Sequence, residues 1–126
     1  MRLQTTVNHS VGLLQTHESW IDACPIQVIV PFTGVAALID GEQVAIFRLA
    51  AETDVYAVSN YDPFSKAYVM ARGLIGDRNG IVKIASPIYK HNFNLLTGQC
   101  LDDDCVSLRT WPARVTAGIV QIYVIR

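Results

Sequence analysis

Charge is scarce in this 126-residue chain: Asp, Glu, Lys and Arg make up only 17% of it, while 51% is hydrophobic. Ordinary soluble domains carry roughly 25% charge, so the apolar surplus fills either a large β-rich core or a surface that a partner covers. Composition alone leaves both readings open. No uninterrupted apolar run approaches the roughly 18 residues of a membrane span, and Met1-Arg2-Leu3-Gln4-Thr5-Thr6 leads into polar sequence instead of a signal-peptide core. A cytoplasmic protein without a membrane association is expected. Basic clusters are missing as well: ten Lys and Arg lie dispersed in a chain of net charge −1, which leaves no footprint for a phosphate backbone and argues against nucleic acid as a partner. A glycine-rich phosphate loop is absent, so nicotinamide or flavin binding by this chain is not indicated. The cysteines, Cys24, Cys100 and Cys105, form an odd set with no paired framework, as suits a reducing compartment.

The remaining pattern is one of short strands separated by turn signals. Residues 35–39 and 44–48 flank Asp40-Gly41, a dipeptide suited to the positive φ angles of a tight hairpin. Residues 55–58 read as a strand leading into a loop at 60–64, where Pro63 disfavours a helical conformation in the residue before it. Residues 74–75 and 81–85 flank the turn-rich Gly76-Asp77-Arg78-Asn79-Gly80, which is expected to close a second hairpin. Thr97-Gly98 marks a turn and residues 106–108 read as a short strand. Residues 114–124 read as two strands about Ala117-Gly118. Strands at this spacing predict an all-β sandwich or barrel. A chain of this length buries about two-thirds of its unfolded surface around one core. Residues 1–19 read as a variable leader ahead of a domain over 20–126, and the stretch from Gln4 to Trp20 is the least readable. There Val11, Leu13 and Leu14 fit one turn of amphipathic helix, a loosely packed arm or a disordered leader.

Two loops carry the chemistry of interest. Ser86-Pro87-Ile88-Tyr89-Lys90-His91-Asn92-Phe93-Asn94-Leu95-Leu96-Thr97-Gly98 resembles the second half of a Rieske iron–sulfur motif, Cys-Pro-x-His-x-x-x-Phe-Asp-x-x-Thr-Gly, with Ser86 at the cysteine position and Tyr89 at the histidine position. Ser59-Asn60-Tyr61-Asp62-Pro63-Phe64 resembles the first half, Cys-x-His, with Asn60 and Asp62 at the ligand positions. Rieske iron takes thiolates on one metal and imidazoles on the other. An amide and a hydroxyl are not soft ligands, a phenol replaces imidazole poorly, and Asp62 alone does not hold a two-iron centre. No cluster and no metal is expected here.

An ordered series of further segments narrows the resemblance. Thr33-Gly34-Val35-Ala36-Ala37-Leu38, Gln43-Val44-Ala45-Ile46-Phe47-Arg48, the Asn-x-Asp-Pro-Phe loop, Ala71-Arg72-Gly73-Leu74-Ile75-Gly76-Asp77, Ala85-Ser86-Pro87-Ile88-Tyr89-Lys90 and Leu101-Asp102-Asp103 together resemble the small subunit of the bacterial assimilatory NAD(P)H-dependent nitrite reductase. The resemblance implies an all-β, Rieske-like antiparallel sandwich of stacked small sheets. It implies an accessory chain of an enzyme that reduces nitrite to ammonia, docked on a large subunit that holds the FAD, the iron–sulfur cluster and the sirohaem. It also implies that Asn60, Asp62, Ser86 and Tyr89 lie close together at one tip. There their polar groups either hold the two loops together by hydrogen bonds or are solvated loop residues.

No self-contained active site is expected. His91 has the acid–base range of an imidazole, but Ser86 lacks a nucleophile elbow and Cys100 lacks a signature around it. Cys100, Cys105 and His91 match no common zinc spacing. Asp62, Pro63, Phe64, Pro87, Tyr89, Lys90 and His91 instead form the candidate partner interface, a polar and aromatic tip. Trp20 and Trp111 fit either that interface or a β core. An autonomous Rieske-type ferredoxin and a free-standing protein-binding module are the alternatives.

Overall fold

The computed structural model describes residues 18–125. The two-residue turn Asp40-Gly41, with φ of 50° and 83°, joins β2 (Thr33–Ile39) to β3 (Glu42–Arg48) in an unbroken antiparallel register from Thr33↔Arg48 to Ile39↔Glu42. Positive φ at both turn residues matches the right-handed twist of the flanking strands, as the dipeptide predicts. Strand β4 (Val55–Ser59) pairs with the other side of β3, and β10 (Thr110–Trp111) adds to β4, giving a four-stranded sheet of order β10-β4-β3-β2. Val44, Ala45, Ile46 and Phe47 of β3 are all buried. A strand with two covered faces needs an apolar run instead of alternation.

Those two faces carry two cores. On one side Val44, Ile46, Ala57 and Trp111 pack with Val120, Ile122 and Val124. The latter three alternate along β12 (Ile119–Ile125), which lies between β1 (Glu18–Pro25) and β11 (Ala113–Thr116) in a three-stranded sheet. On the other side Ala45, Phe47 and Val58 pack with Met70, Ile84, Phe93 and Leu95. Ile84 and Phe93 come from a sheet of β7 (Leu74–Arg78), β8 (Ile81–Ala85) and β9 (Asn92–Asn94). Burying a side chain such as Phe47 contributes about 1.5–3 kcal/mol each time. The all-β arrangement of stacked small sheets is therefore as the resemblance implies, and no helix among the described residues is long and apolar enough to cross a membrane.

Several boundaries differ from expectation. Strand β7 runs on through Gly76 and Asp77 to Arg78, so the turn is Asn79-Gly80 alone; five cross-strand pairs with β8 outweigh the turn-forming residues. Residues 106–108 form no strand: Ser107 makes an isolated bridge to Gln99, whose side-chain amide instead donates to the carbonyls of Cys100, Asp103, Asp104 and Val106. Strand β1 escapes a local reading because its partner β12 lies about a hundred residues on and a bulge between Asp22 and Cys24 breaks its period. Glu18 and Ser19 belong to this strand; the rest of the leader, with Val11, Leu13 and Leu14, lies outside the described residues. Trp111 joins the core, while Trp20 sits half-buried on the outer face between Tyr123 and the Arg114 guanidinium.

Candidate functional site

Strand β4 ends at Ser59 and delivers Asn60 and the short pair β5 (Tyr61–Asp62) and β6 (Ala67–Tyr68) to one tip of the sandwich. Strand β8 ends at Ala85 and delivers Ser86 to the same place. The Ser86 hydroxyl donates to Oδ2 of Asp62 at 2.5 Å, and both side chains are wholly buried. This one bond fastens the two loops across 24 residues of sequence.

Asp62 is also the organiser of its own loop. Its Oδ1 accepts the Phe64 N–H at 2.9 Å, Oδ2 accepts the Ser65 hydroxyl at 2.8 Å, and its carbonyl accepts the Lys66 N–H at 2.7 Å. Burial pushes the Asp62 carboxyl up, but hydrogen bonds from Ser86, Ser65 and the backbone N–H groups of Phe64 and Ser65 outweigh it and hold the group below its ordinary value. Asp102 is lowered too, first by the Asn92 N–H, which it accepts at 2.8 Å. A carboxyl depressed by folding contributes stability above its unfolded pKa, near 3.9, and loses it as pH falls through the lower folded value. Urea midpoints are accordingly expected to stay level from neutral pH to about 5 and to drop below about 4. Asp62→Asn starts less stable at neutral pH and falls less steeply on acidification. Equal slopes for both proteins would remove Asp62 from the acid response.

Asn60 is buried but serves a different join. Its Oδ1 accepts the Ala71 N–H at 2.7 Å and its Nδ2 donates to Gln43 Oε1 at 3.1 Å. The amide thus ties the loop to β3 and to the helical turn Met70–Arg72, not to Asp62 or Ser86. Tyr89 departs further from the expected quartet: it is 62% exposed and stands outside the network. The chain turns sharply beneath it, with Lys90 at φ 67° and the Ser86 N–H donating to the His91 carbonyl at 2.9 Å, so the phenol points away from the buried pair.

Among the expected interface residues, Phe64 and His91 stack face to face with centroids 3.6 Å apart and an angle of 6°. Phe64 also leans on Phe93, a core residue of β9. Both rings are half-buried, and the His91 Nδ1 is buried without a hydrogen-bond partner. Pro63 and Pro87 are half-buried, and Lys90 is exposed with its ammonium donating to the Pro87 carbonyl. Sequence reasoning missed Ser65, Gln43 and the Ala71 N–H. For Ser65 a signal exists: Asp-Pro-Phe-Ser is the pattern of a turn in which an aspartate side chain accepts bonds from the residues following it. Among the described residues no three His, Cys, Asp or Glu side chains converge to hold a metal ion; Cys100 is buried and Cys105 exposed.

Residues 19–123 match the model of the family described as Rieske-like [2Fe-2S] domain. The nitrite reductase (NADH) small subunit of Salmonella typhimurium strain LT2 is 47% identical over 103 residues, 82% of this chain and 95% of that protein. The NMR structure of the Escherichia coli protein NirD superposes with a TM-score of 0.80 at 44% identity, covering 86% of this chain and 98% of that one. A nitrite reductase [NAD(P)H] large subunit from Klebsiella oxytoca is 35% identical over 103 residues, a span of only 11% of its own length.

Proposed function

Because the chain belongs to the Rieske-like [2Fe-2S] domain family and, within it, to the nitrite reductase (NADH) small subunits, we propose that it is the non-catalytic chain of a cytoplasmic nitrite reductase. It docks on the catalytic large subunit through its tip and supports turnover there. The observation that carries this reading is the Ser86–Asp62 hydrogen bond, a metal-free fastening at two of the four ligand positions.

A two-iron centre does not fit these residues. The Asp62 carboxylate is engaged by three donors, both polar atoms of the Asn60 amide are engaged, Ser86 is turned onto Asp62, and Tyr89 faces solvent. None of the four is a thiolate or an imidazole, the donors that such a cluster takes. On this reading the electrons pass from NAD(P)H to nitrite through FAD, an iron–sulfur cluster and sirohaem held by the large subunit. The likeness to part of the Klebsiella oxytoca large subunit supports a close working contact, since a domain of this kind is there carried within one chain. That contact also favours a dedicated subunit over a ferredoxin that serves an unrelated oxygenase.

Co-purification and nitrite-dependent NADH oxidation test the proposal. The chain is expected to co-elute with the large subunit, to raise its turnover several-fold and to carry no stoichiometric iron or sulfide after anaerobic purification. Absence of binding together with unchanged turnover would sink it, and stoichiometric iron and sulfide would instead make the chain an electron carrier.

A further inference from the structure

We propose that the tip recognises an acidic rim around an apolar patch on the large subunit, with Lys66, Arg72 and Lys90 as the charges that select it. This rests on the tip being the docking face, as proposed above. The two loops, residues 60–74 and 85–91, carry these three exposed cations and a single carboxylate, Asp62, which is buried with both oxygens engaged. The surface of these two loops is therefore positive in a chain of net charge −1, with the acidic turn Asp102-Asp103-Asp104 beside the second loop, where Asp102 accepts the Asn92 N–H. The ion pairs among the described residues lie elsewhere, between Arg78 and Asp102 and between Arg109 and Glu42. Among the described residues no carboxylate forms an ion pair with Lys66, Arg72 or Lys90.

The same two loops also expose apolar side chains. Ile88 and Tyr89 are exposed on one loop, and Tyr68 is exposed on the other with its ring tilted against Tyr61 at 5.0 Å. Exposed aromatic and apolar side chains in company with cations have the composition of a protein interface. Rim charges chiefly steer and select the partner, which calls for carboxylates opposite these cations.

The backbone at the two lysines is strained. Lys66 and Lys90 both sit in the left-handed region, with φ of 61° and 67°, where Cβ crowds the following carbonyl and glycine is the residue without steric cost. Local bonds hold them there: the Lys66 N–H on the Asp62 carbonyl, and the Ser86 N–H on the His91 carbonyl across the second loop. A lysine at both positions costs folding stability, as does the residue at the other non-glycine positions of positive φ, Phe32 and Ala117 among them.

Binding of the purified large subunit to immobilised chain tests this. Affinity is expected to fall on the order of tenfold or more between about 0.01 and about 1 M salt, as the screening length shrinks from roughly 30 to 3 Å. The combined variant Lys66→Glu, Arg72→Glu, Lys90→Glu should lose on the order of tenfold at low salt, while Arg114→Glu, on the outer face of β11, stays within about twofold. The pair Lys66→Gly and Lys90→Gly should weaken binding yet raise Tm by about 2–4 °C. A complex that forms without salt dependence and ignores the charge reversal would overturn the acidic rim and leave tip docking intact. A loss of Tm along with binding in the glycine pair would make the lysines structural and overturn the proposal. Retention on phosphatidylserine vesicles, abolished by the charge reversal, with no such effect on large-subunit binding, would reassign the cations to a lipid surface. No binding of the unaltered chain at any salt would overturn the docking reading itself.

Discussion

Asp62→Ala is expected to lower the unfolding free energy by about 2–4 kcal/mol and to release both loops of the tip. The substitution removes a carboxylate that accepts from Ser86, Ser65 and the Phe64 N–H. Ser86 is wholly buried, so its hydroxyl loses its acceptor with no access to water. An orphaned buried donor costs about 1–3 kcal/mol, more than the bond itself contributes. For a domain of this size the loss corresponds to a Tm decrease on the order of 10 °C. Ser86→Ala should be milder, about 1–2 kcal/mol, because Asp62 keeps its other donors. The double variant should cost less than the sum, since either single change already breaks the shared bond. Urea denaturation of the four proteins gives the coupling, and amide exchange at Phe64 and Ile88 reports the loops. Strict additivity would show that Asp62 and Ser86 act independently.

Gly98→Ala is expected to be at least as severe, about 3–5 kcal/mol, sufficient to leave much of the chain unfolded at 37 °C. Gly98 has a φ of 82°, and a Cβ there would lie 2.1 Å from the Leu108 carbonyl oxygen and 3.0 Å from Thr110 Cγ2. Left-handed strain accounts for the smaller part. The larger part is the overlap with backbone, which gives way only if residues 98 and 108 separate and break the hydrogen bond from the Leu108 N–H to the Gly98 carbonyl. Gly41→Ala makes a fair comparison: φ is 83°, yet apart from its two chain neighbours nothing lies within 4 Å of the added methyl. It should cost only about 1 kcal/mol. Thermal unfolding of the two proteins separates backbone conformation from close approach, and similar losses would contradict this account.

Much of the framework is legible without coordinates because its signals are local. Asp40-Gly41 specifies a turn whatever surrounds it, and Val44-Ala45-Ile46-Phe47 reads as a strand, whose coverage on both faces is seen only in the structure. The candidate site is legible only by position. Its four aligned residues read alike as loop polar groups, yet Asp62 and Ser86 are locked together, Asn60 turns to Gln43 and Ala71, and Tyr89 faces solvent. Nothing within a few residues of Asn60 names Gln43 as its partner. Strand β1 was hidden for the same reason, since its pairing with β12 supplies the order that its own sequence lacks.

The sequence by itself determined the strand-and-turn plan, the family frame and the chemical identity of the four altered ligand positions, because each follows from residue type and short spacing. Only the tertiary structure decided which polar groups meet. The Ser86–Asp62 bond joins residues 24 apart and the Asn60–Gln43 bond residues 17 apart, distances at which propensity carries no information and the packing of β3, β4 and β8 selects the partner. The same packing leaves Lys66, Arg72 and Lys90 outside and Asp62 inside, so the charge these loops show to solvent is set by burial and not by composition.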